Sequence, residues 1–342
     1  MNNNAKKILI CSGITLVGSA VIGAISYATT KTLVNAALDR ELPKRMKNKK
    51  ISHLEGDEAA KEEVRKKGEK LKNSDCKTVE IISRDHKKLI GHWHCNENAK
   101  RIVIAMHGWR SSWTNDFGAI SDFWHENDCS VLYAEQRGQN SSEGDFMGFG
   151  MIERYDCLDW INWANEQGGK KLPIYLAGVS MGASTVLMTS GFDLPKNVCG
   201  IMADCGFTSA KAIWKHVLET NMHLSYKMRS KMIEDLCKKK ININSEDYTT
   251  VDALKKNKIP VLFVHGTDDD FVPIEMTYEN YKACAAPKKL LVVPGATHAM
   301  SYVADKTGYE NAIKAFWKDC DKPVTIDVGF ESVATLTFGL MV

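Results

Sequence analysis

The sequence contains no Cys-x-x-Cys pair and no phosphate-binding glycine loop, although it has ten cysteines. Closely paired cysteines are typical of zinc and redox sites, so their absence argues against both. The scattered thiols favour a reducing environment, although an even number of cysteines is compatible with disulfides. The formal net charge is only +3, which argues against a nucleic-acid surface. We therefore expect neither a metal ion, nor an organic cofactor, nor a nucleic-acid partner.

Charge is absent altogether from residues 8–30, a run rich in Ile, Val, Leu, Gly and Ala. The run is long enough to cross a bilayer as a helix, and it predicts a single-pass anchor in the cell membrane. Seven basic residues follow between Lys31 and Lys50, which favours a cytoplasmic location for the C-terminal side by the positive-inside rule. The run also resembles a signal peptide or an uncleaved signal anchor, which would place the domain on the other side. A buried helix of a soluble protein is the third alternative.

The rest of the chain divides by composition into a short tail at residues 1–7, a charged linker at 31–76, a large domain at 77–323 and an unassigned tail at 324–342. Within the linker, Glu62 and Lys66 are four residues apart, as are Glu63 and Lys67. This spacing supports an exposed helix, so we predict a solvated linker helix. The oligomeric state does not follow from the sequence.

Strand-like and helix-like segments alternate through residues 77–323. The first two strands are separated by a turn-like segment and predict an antiparallel entry, whereas the later alternation predicts a mostly parallel sheet flanked by helices. An insertion at about 209–258 interrupts this alternation and predicts a small helical cap. Its candidate substrate contacts are Leu218, Met222 and Met228, although apolar residues at helical spacing also suit core packing.

A nucleophile elbow is the strongest motif in this domain. Residues 172–179 predict a buried strand, which leads into Gly178-Val179-Ser180-Met181-Gly182 and then directly into a helix. The two glycines permit a tight, strained turn that exposes the oxygen of Ser180. Gly-x-Ser-x-Gly alone is common, but in this strand–turn–helix context it predicts a serine nucleophile.

A serine nucleophile needs a histidine base and a carboxylate that orients the base. Both follow Ser180 in the chain, each after a predicted strand: an acidic loop at residues 268–270 and then His298. His107 and His265 also follow strands, but the glycine after each suggests a role in loop conformation. His298 is the base that fits the order serine, acid, histidine.

Taken together, these motifs resemble the α/β-hydrolase superfamily, and most closely its membrane-tethered bacterial serine hydrolases related to serine aminopeptidase-like and monoacylglycerol-lipase-like enzymes. The resemblance covers about residues 77–319 and rests on five segments: 107–109, 135–144, 178–182, 265–273 and 295–298. It implies the α/β-hydrolase fold and places the acid two residues before Phe-Val-Pro, which selects Asp269 over its neighbours Asp268 and Asp270. Glu135 and the pair Gln139-Asn140 depart from the family pattern, outside the triad.

An oxyanion hole completes the expected site. The backbone N–H of Met181, directly after the nucleophile, is one donor. The resemblance implies the N–H of Trp109 as the second. We therefore predict a serine hydrolase that cleaves a carboxylic ester of an acyl or lipid-like small molecule. The alternatives are an aminopeptidase or amidase of the same fold and, in another class, a catalytically idle binding protein tethered to the membrane.

Overall fold

A computed structural model of the protein describes residues 23–44, 46, 58–168 and 172–321. Its centre is an eight-stranded sheet with the strand order β1-β2-β4-β3-β5-β6-β7-β8. The strands are Lys77–Ile82 (β1), Lys88–His94 (β2), Arg101–Met106 (β3), Cys129–Ala134 (β4), Ile174–Val179 (β5), Val198–Asp204 (β6), Val261–Gly266 (β7) and Lys288–Val293 (β8). The pairs β1–β2 and β2–β4 are antiparallel. Every other neighbouring pair in this order is parallel.

Helices connect the parallel strands and cover both faces of the sheet. Residues 23–38 are helical (α1), and the other helices are Glu58–Lys72 (α2), Trp113–Glu126 (α3), Glu153–Gly168 (α4), Met181–Thr189 (α5), Ala210–His216 (α6), Ser230–Ile241 (α7), Thr250–Leu254 (α8), Ile274–Ala283 (α9), Ser301–Ala304 (α10) and Lys306–Cys320 (α11). This arrangement confirms the predicted α/β-hydrolase fold with its mostly parallel sheet. The central strands are buried along almost their whole length, which is typical of apolar strands in a parallel sheet covered on both faces.

Two apolar clusters fill the layers between sheet and helices. One contains Trp160 of α4 and Leu187 of α5, and the other contains Trp124 of α3 and Phe316 of α11. A third cluster lies away from the sheet and joins the N-terminal helix α1 to the cap. The sheet core fixes the carboxyl ends of the strands, where loops of functional residues collect.

The predicted solvated linker helix is wrong in one respect. Helix α2 exists, but it buries Val64, Gly68 and Leu71 and packs along α3. Gly68 and Gly118 lie where the backbones of the two helices touch, because a Cβ on Gly118 would meet the backbone of Gly68 at 2.5 Å. The ammonium of Lys67 binds Asp122 of α3 at 3.0 Å instead of serving the predicted pair with Glu63. Glycines at a helix–helix contact do not produce an apolar pattern in the sequence. The packing of α2 on α3 therefore could not be predicted from hydropathy.

The predicted membrane anchor at residues 8–30 lies mostly outside the described residues, as do the tails at 1–7 and 324–342. Among the residues that the structure does describe, no helix combines the length and the apolar character needed to cross a bilayer. The anchor therefore stays a prediction. Nine of the ten cysteines are described and none of these nine forms a disulfide; Cys11 is the tenth.

The cap is helical, as the insertion at 209–258 suggested. It consists of α6, a single π-helical turn at Val217–Asn221, and α7. Helix α8, at the end of the insertion, packs instead on α5 in the body of the domain. The π turn places Leu218 on the buried side of the cap, whereas Met228 is 81% exposed. Such turns are frequent at functional sites.

A buried ion pair fixes the loop that follows β4. The guanidinium of Arg137 binds Asp156 of α4 through two nitrogens, each at 2.5 Å, and Asp85 at 2.9 and 3.0 Å. Asp156 is almost fully buried. Arg137 therefore braces its own loop from inside the domain.

We predict that Arg137→Ala lowers the free energy of unfolding by about 3–5 kcal/mol, because it leaves the Asp156 carboxylate buried without its partner. Urea unfolding followed by tryptophan fluorescence measures the change. Arg84→Ala is the control, since Arg84 forms a half-exposed pair with Asp159 at 3.3 Å, and it should cost about 1 kcal/mol or less. Equal losses for the two variants would contradict the assignment.

Candidate active site

The nucleophile elbow joins β5 to α5. Ser180 has φ 54° and ψ −117°, a strained conformation for a residue with a side chain. A Cβ on Gly182 would collide with the backbone carbonyl of Met106 at the end of β3, and one on Gly178 would collide with the backbone of Gly182. The motif therefore needs glycine at both positions, and the strain projects Ser180 beyond the carboxyl end of the sheet.

Three residues far apart in the sequence meet at this elbow. His298 Nε2 lies 3.0 Å from Ser180 Oγ, and His298 Nδ1 lies 2.8 Å from Asp269 Oδ2. All three residues are buried, and only 3–6% of the surface of each is exposed. With its proton on Nδ1, His298 donates to the carboxylate and leaves Nε2 free to accept the serine proton. The structure thus brings together the serine, acid and base that the sequence predicted.

Asp269 is held in its ionised form by several donors. The backbone N–H groups of Phe271 and Val272 donate to its Oδ1 at 3.0 and 2.8 Å, and His265 Nε2 lies 3.2 Å from its Oδ2. Burial acts to raise the pKa of this carboxyl, but the charge of His298 and the hydrogen bonds from His265 and His298 outweigh it and hold the pKa below its usual range. A carboxylate in this state keeps His298 oriented throughout the physiological pH range.

The two aspartates on either side of Asp269 do not belong to the triad. Asp268 and Asp270 are both exposed, and Asp268 accepts a hydrogen bond from the hydroxyl of Thr267. The backbone carbonyl of Asp270 lies 3.1 Å from His216 Nε2 and 3.4 Å from the amide of Asn221. Both partners belong to the cap, so the loop that carries the acid also anchors the cap.

The loop after β3 lies beside the nucleophile. The Cβ position of Gly108 is 3.3 Å from Ser180 Cβ, which brings the next residue, Trp109, to the elbow. Met181, the other expected donor, is the buried first residue of α5. Its N–H belongs to the first turn of the helix, where backbone N–H groups have no carbonyl partner within the helix.

A partly buried carboxylate that the sequence did not indicate supports this loop. Asp116 accepts the N–H of Gly108 at 2.6 Å and the hydroxyl of Ser111 at 2.5 Å. Burial raises its pKa, although the nearby His107 and these hydrogen bonds oppose the shift. Asp116 sits in the first turn of an ordinary helix, eight residues after Gly108, so no local pattern distinguishes it from a surface aspartate.

His107 supports the same loop from its other side. Its Nε2 accepts the backbone N–H of Gln136 at 3.1 Å, and the side-chain amide of Gln136 donates to the carbonyl of His107. Burial lowers the pKa of His107, which keeps the imidazole neutral and able to accept. His107 therefore has the loop-orienting position that its sequence context suggested.

Ser180 opens into a cavity of about 250 Å³. Among the described residues that line it, all side chains are hydrophobic except those of Thr30, Ser180 and Arg229. Of the predicted cap contacts, Leu218 and Met222 line the cavity, whereas Met228 does not and points to solvent. The side chain of Trp109 is also part of the lining.

The N-terminal wall of this cavity was not predicted. Thr30, Leu33, Val34 and Ala37 of α1 line it, although residues 31–76 were interpreted as a charged linker. That interpretation is wrong for residues 31–40. The apolar pattern after Lys31 was the available signal, but the membrane and linker assignments on either side obscured it.

Among the described residues, one cluster has donor atoms close enough to share a metal ion: Cys205, Asp269 and His298, with ligand atoms within 4.8 Å of one another. Two of its members already bind each other in the triad. Burial raises the pKa of the Cys205 thiol well above its ordinary value, so the thiolate that a metal requires is disfavoured. The donor set suits acid–base chemistry better than metal binding.

The sheet topology, the strained elbow after β5 and the serine, acid and histidine after β5, β7 and β8 define an α/β-hydrolase. Residues 115–323 match the prolyl oligopeptidase family, and the chain belongs to that family.

Individual proteins are similar to this chain in sequence or in structure. The protein YqkD of Bacillus subtilis is 25% identical over 191 residues, which cover 55% of this chain and 61% of YqkD, so the match spans less than two thirds of that relative. The esterase Pf2001 of Pyrococcus furiosus superposes with a TM-score of 0.60 at 23% identity, covering 72% of this chain and 91% of that one. Est1E of Butyrivibrio proteoclasticus, solved with ferulic acid bound, gives 0.55 at 20% identity, covering 71% and 99%.

We predict that Asp269→Asn lowers kcat about a thousandfold to ten-thousandfold, because the amide no longer holds His298 in the productive tautomer. Hydrolysis of a chromogenic ester measures the loss. Asp268→Asn and Asp270→Asn are matched controls from the same loop, and we expect both to keep activity close to that of the unmodified protein. A large loss in either control with activity retained in Asp269→Asn would assign the acid differently.

Proposed function

We propose that this protein is a serine hydrolase that cleaves carboxylic esters through an acyl-enzyme formed on Ser180. The observation that carries the proposal is the hydrogen-bonded chain from Ser180 Oγ through His298 to Asp269, with distances of 3.0 and 2.8 Å, opening into an apolar cavity. Each residue in it has a role in acyl transfer, and the fold is that of a hydrolase family.

In the proposed mechanism, Ser180 Oγ attacks the ester carbonyl while His298 Nε2 takes its proton. Asp269 stabilises the imidazolium that forms. The N–H groups of Met181 and Trp109 stabilise the oxyanion, each contributing about 3–4 kcal/mol in enzymes where such a donor has been removed. The protonated His298 then gives its proton to the leaving alcohol, and water, activated by the same histidine, releases the acid.

The cavity favours an acyl or lipid-like substrate. Its hydrophobic walls begin at Ser180, so an aliphatic acyl group bound there is removed from water while its carbonyl carbon lies beside Oγ. Two of the structural neighbours, Pf2001 and Est1E, are described as an esterase and as a protein binding an aromatic acid. Esters are also chemically easier to cleave than amides, and this difference favours an ester as the substrate.

An aminopeptidase or amidase is the second candidate within enzymes, and the family name favours it. A site that accepts a free amino terminus needs an acidic group to bind the ammonium. The described cavity lining contains no acidic side chain, and its single charged one is the cationic Arg229, whose Nε is buried without a hydrogen-bond partner. This lining repels an ammonium group, so ester hydrolysis remains the proposal.

A catalytically idle binding protein is the alternative from another class. A binding site has no need for an aligned serine, histidine and carboxylate, nor for a strained serine. The hydrogen bonds around Asp269 orient His298. A site that only binds a ligand does not require an oriented imidazole.

Labelling with a fluorophosphonate probe tests the proposal on the full chain in detergent. We expect the probe to modify Ser180, as located by peptide mapping, and Ser180→Ala and His298→Ala to abolish labelling, because the reaction requires an activated serine. Circular dichroism confirms that the variants are folded. Folded unmodified protein that resists the probe would overturn the hydrolase proposal in favour of the binding protein.

A further inference from the structure

The segment 30–40, which we call the N-terminal strap, lies between the cap and the loop that carries Trp109. Its helical part supplies Thr30, Leu33, Val34 and Ala37 to the cavity wall. Val34 and Leu38 are buried in the apolar cluster shared with Leu218 and Trp214 of the cap. The cavity is therefore a space between three elements, with Ser180 on the hydrolase body, the cap on one wall and the strap on another.

The loop after β3 holds the strap through its backbone carbonyls. Trp109 Nε1 donates to the carbonyl of Ala37 at 2.8 Å. The guanidinium of Arg110 donates to the carbonyls of Ala36 at 2.9 Å, Asp39 at 2.5 Å and Arg40 at 3.0 Å. The last carbonyls of a helix have no partners within the helix, so these bonds satisfy groups that otherwise require water.

The same loop is fixed from its other side. Arg110 adopts a left-handed backbone conformation with φ 53°, and its N–H donates to Gln139 Oε1 at 2.5 Å. Arg110, which binds the carbonyls of the strap, is thus adjacent to Trp109, whose backbone N–H is the proposed oxyanion donor. The strap and the loop after β3 form one hydrogen-bonded unit.

Further contacts bind the end of the strap to the domain. Arg40 donates to the carbonyls of Ser142 and Asn140, both at 2.5 Å. Asp39 forms an ion pair with Lys240 of α7 at 2.5 Å, and the carbonyl of Leu38 accepts the N–H of Met147 at 2.7 Å. The strap is held by the body and the cap alike, which a flexible linker would not be.

We propose that the N-terminal strap is a specificity-determining part of the active site, and that it sets the length of the aliphatic acyl chain that lies between the strap and the cap. The inference rests on the proposed ester hydrolysis at Ser180 and goes further, because it names the chain segment that sets acyl length. Leu33 is the residue to test: it is only partly buried by protein, it lines the cavity, and it makes no polar contact that a substitution would remove.

The experiment compares kcat/KM for p-nitrophenyl butyrate and p-nitrophenyl dodecanoate in the full chain. In Leu33→Trp the larger side chain fills space that a long acyl chain needs, so the ratio of dodecanoate to butyrate activity should fall about tenfold or more. Leu33→Ala enlarges the cavity and should raise the same ratio. The opposite directions separate a role in specificity from a general loss of folding.

Lys31→Trp is the matched control, since Lys31 is exposed on the same helix; it should leave the ratio unchanged. An unchanged ratio in both Leu33 variants, or an equal loss for both esters, would overturn the strap proposal. Fluorophosphonate labelling separates this failure from failure of the proposed function: a labelled Ser180 with unchanged chain-length preference refutes only the strap, whereas an unlabelled Ser180 refutes the hydrolase itself.

Discussion

The close approach of the elbow to the end of β3 is the constraint on which the site depends. The backbone at Gly182 touches the carbonyl of Met106, so neither strand nor elbow can shift without the other. This contact sets Ser180 beside the loop after β3, and that loop lies between Ser180 and the strap. The parallel sheet fixes the two remaining triad residues, because β7 and β8 end at the same edge as β5. Catalytic geometry here is a property of backbone packing as much as of side chains.

The buried polar groups around the site divide into two networks. One orients the reacting atoms: His265, Phe271 and Val272 hold Asp269, which holds His298. The other supports the loop after β3 through Asp116, His107 and Gln136. Because the second network bonds the loop after β3 and not the triad, its contribution is to reduce the motion of that loop, which in the proposed mechanism pre-organises the oxyanion hole. The strap extends this second network to the edge of the domain.

The sequence was sufficient to predict the fold and to propose the triad because both depend on local patterns in a fixed order. Buried strands are apolar runs in the sequence. Gly178 and Gly182 mark a turn that requires glycine at both positions. The missed features depend on tertiary contacts. Asp116 and the packing of α2 leave no periodic signal, and Met228 follows the apolar pattern of the cap yet is exposed. The strap was obscured because the uncharged run before it and the charged region after it both suggested other roles.

The central claim is that ester cleavage passes through an acyl group on Ser180. The most direct measurement is acid quenching during turnover of p-nitrophenyl octanoate, followed by mass spectrometry of the peptide that contains Ser180. The account predicts an octanoyl adduct on this serine, and no adduct and no turnover in Ser180→Ala. Turnover by Ser180→Ala at the rate of the unmodified protein would contradict the account.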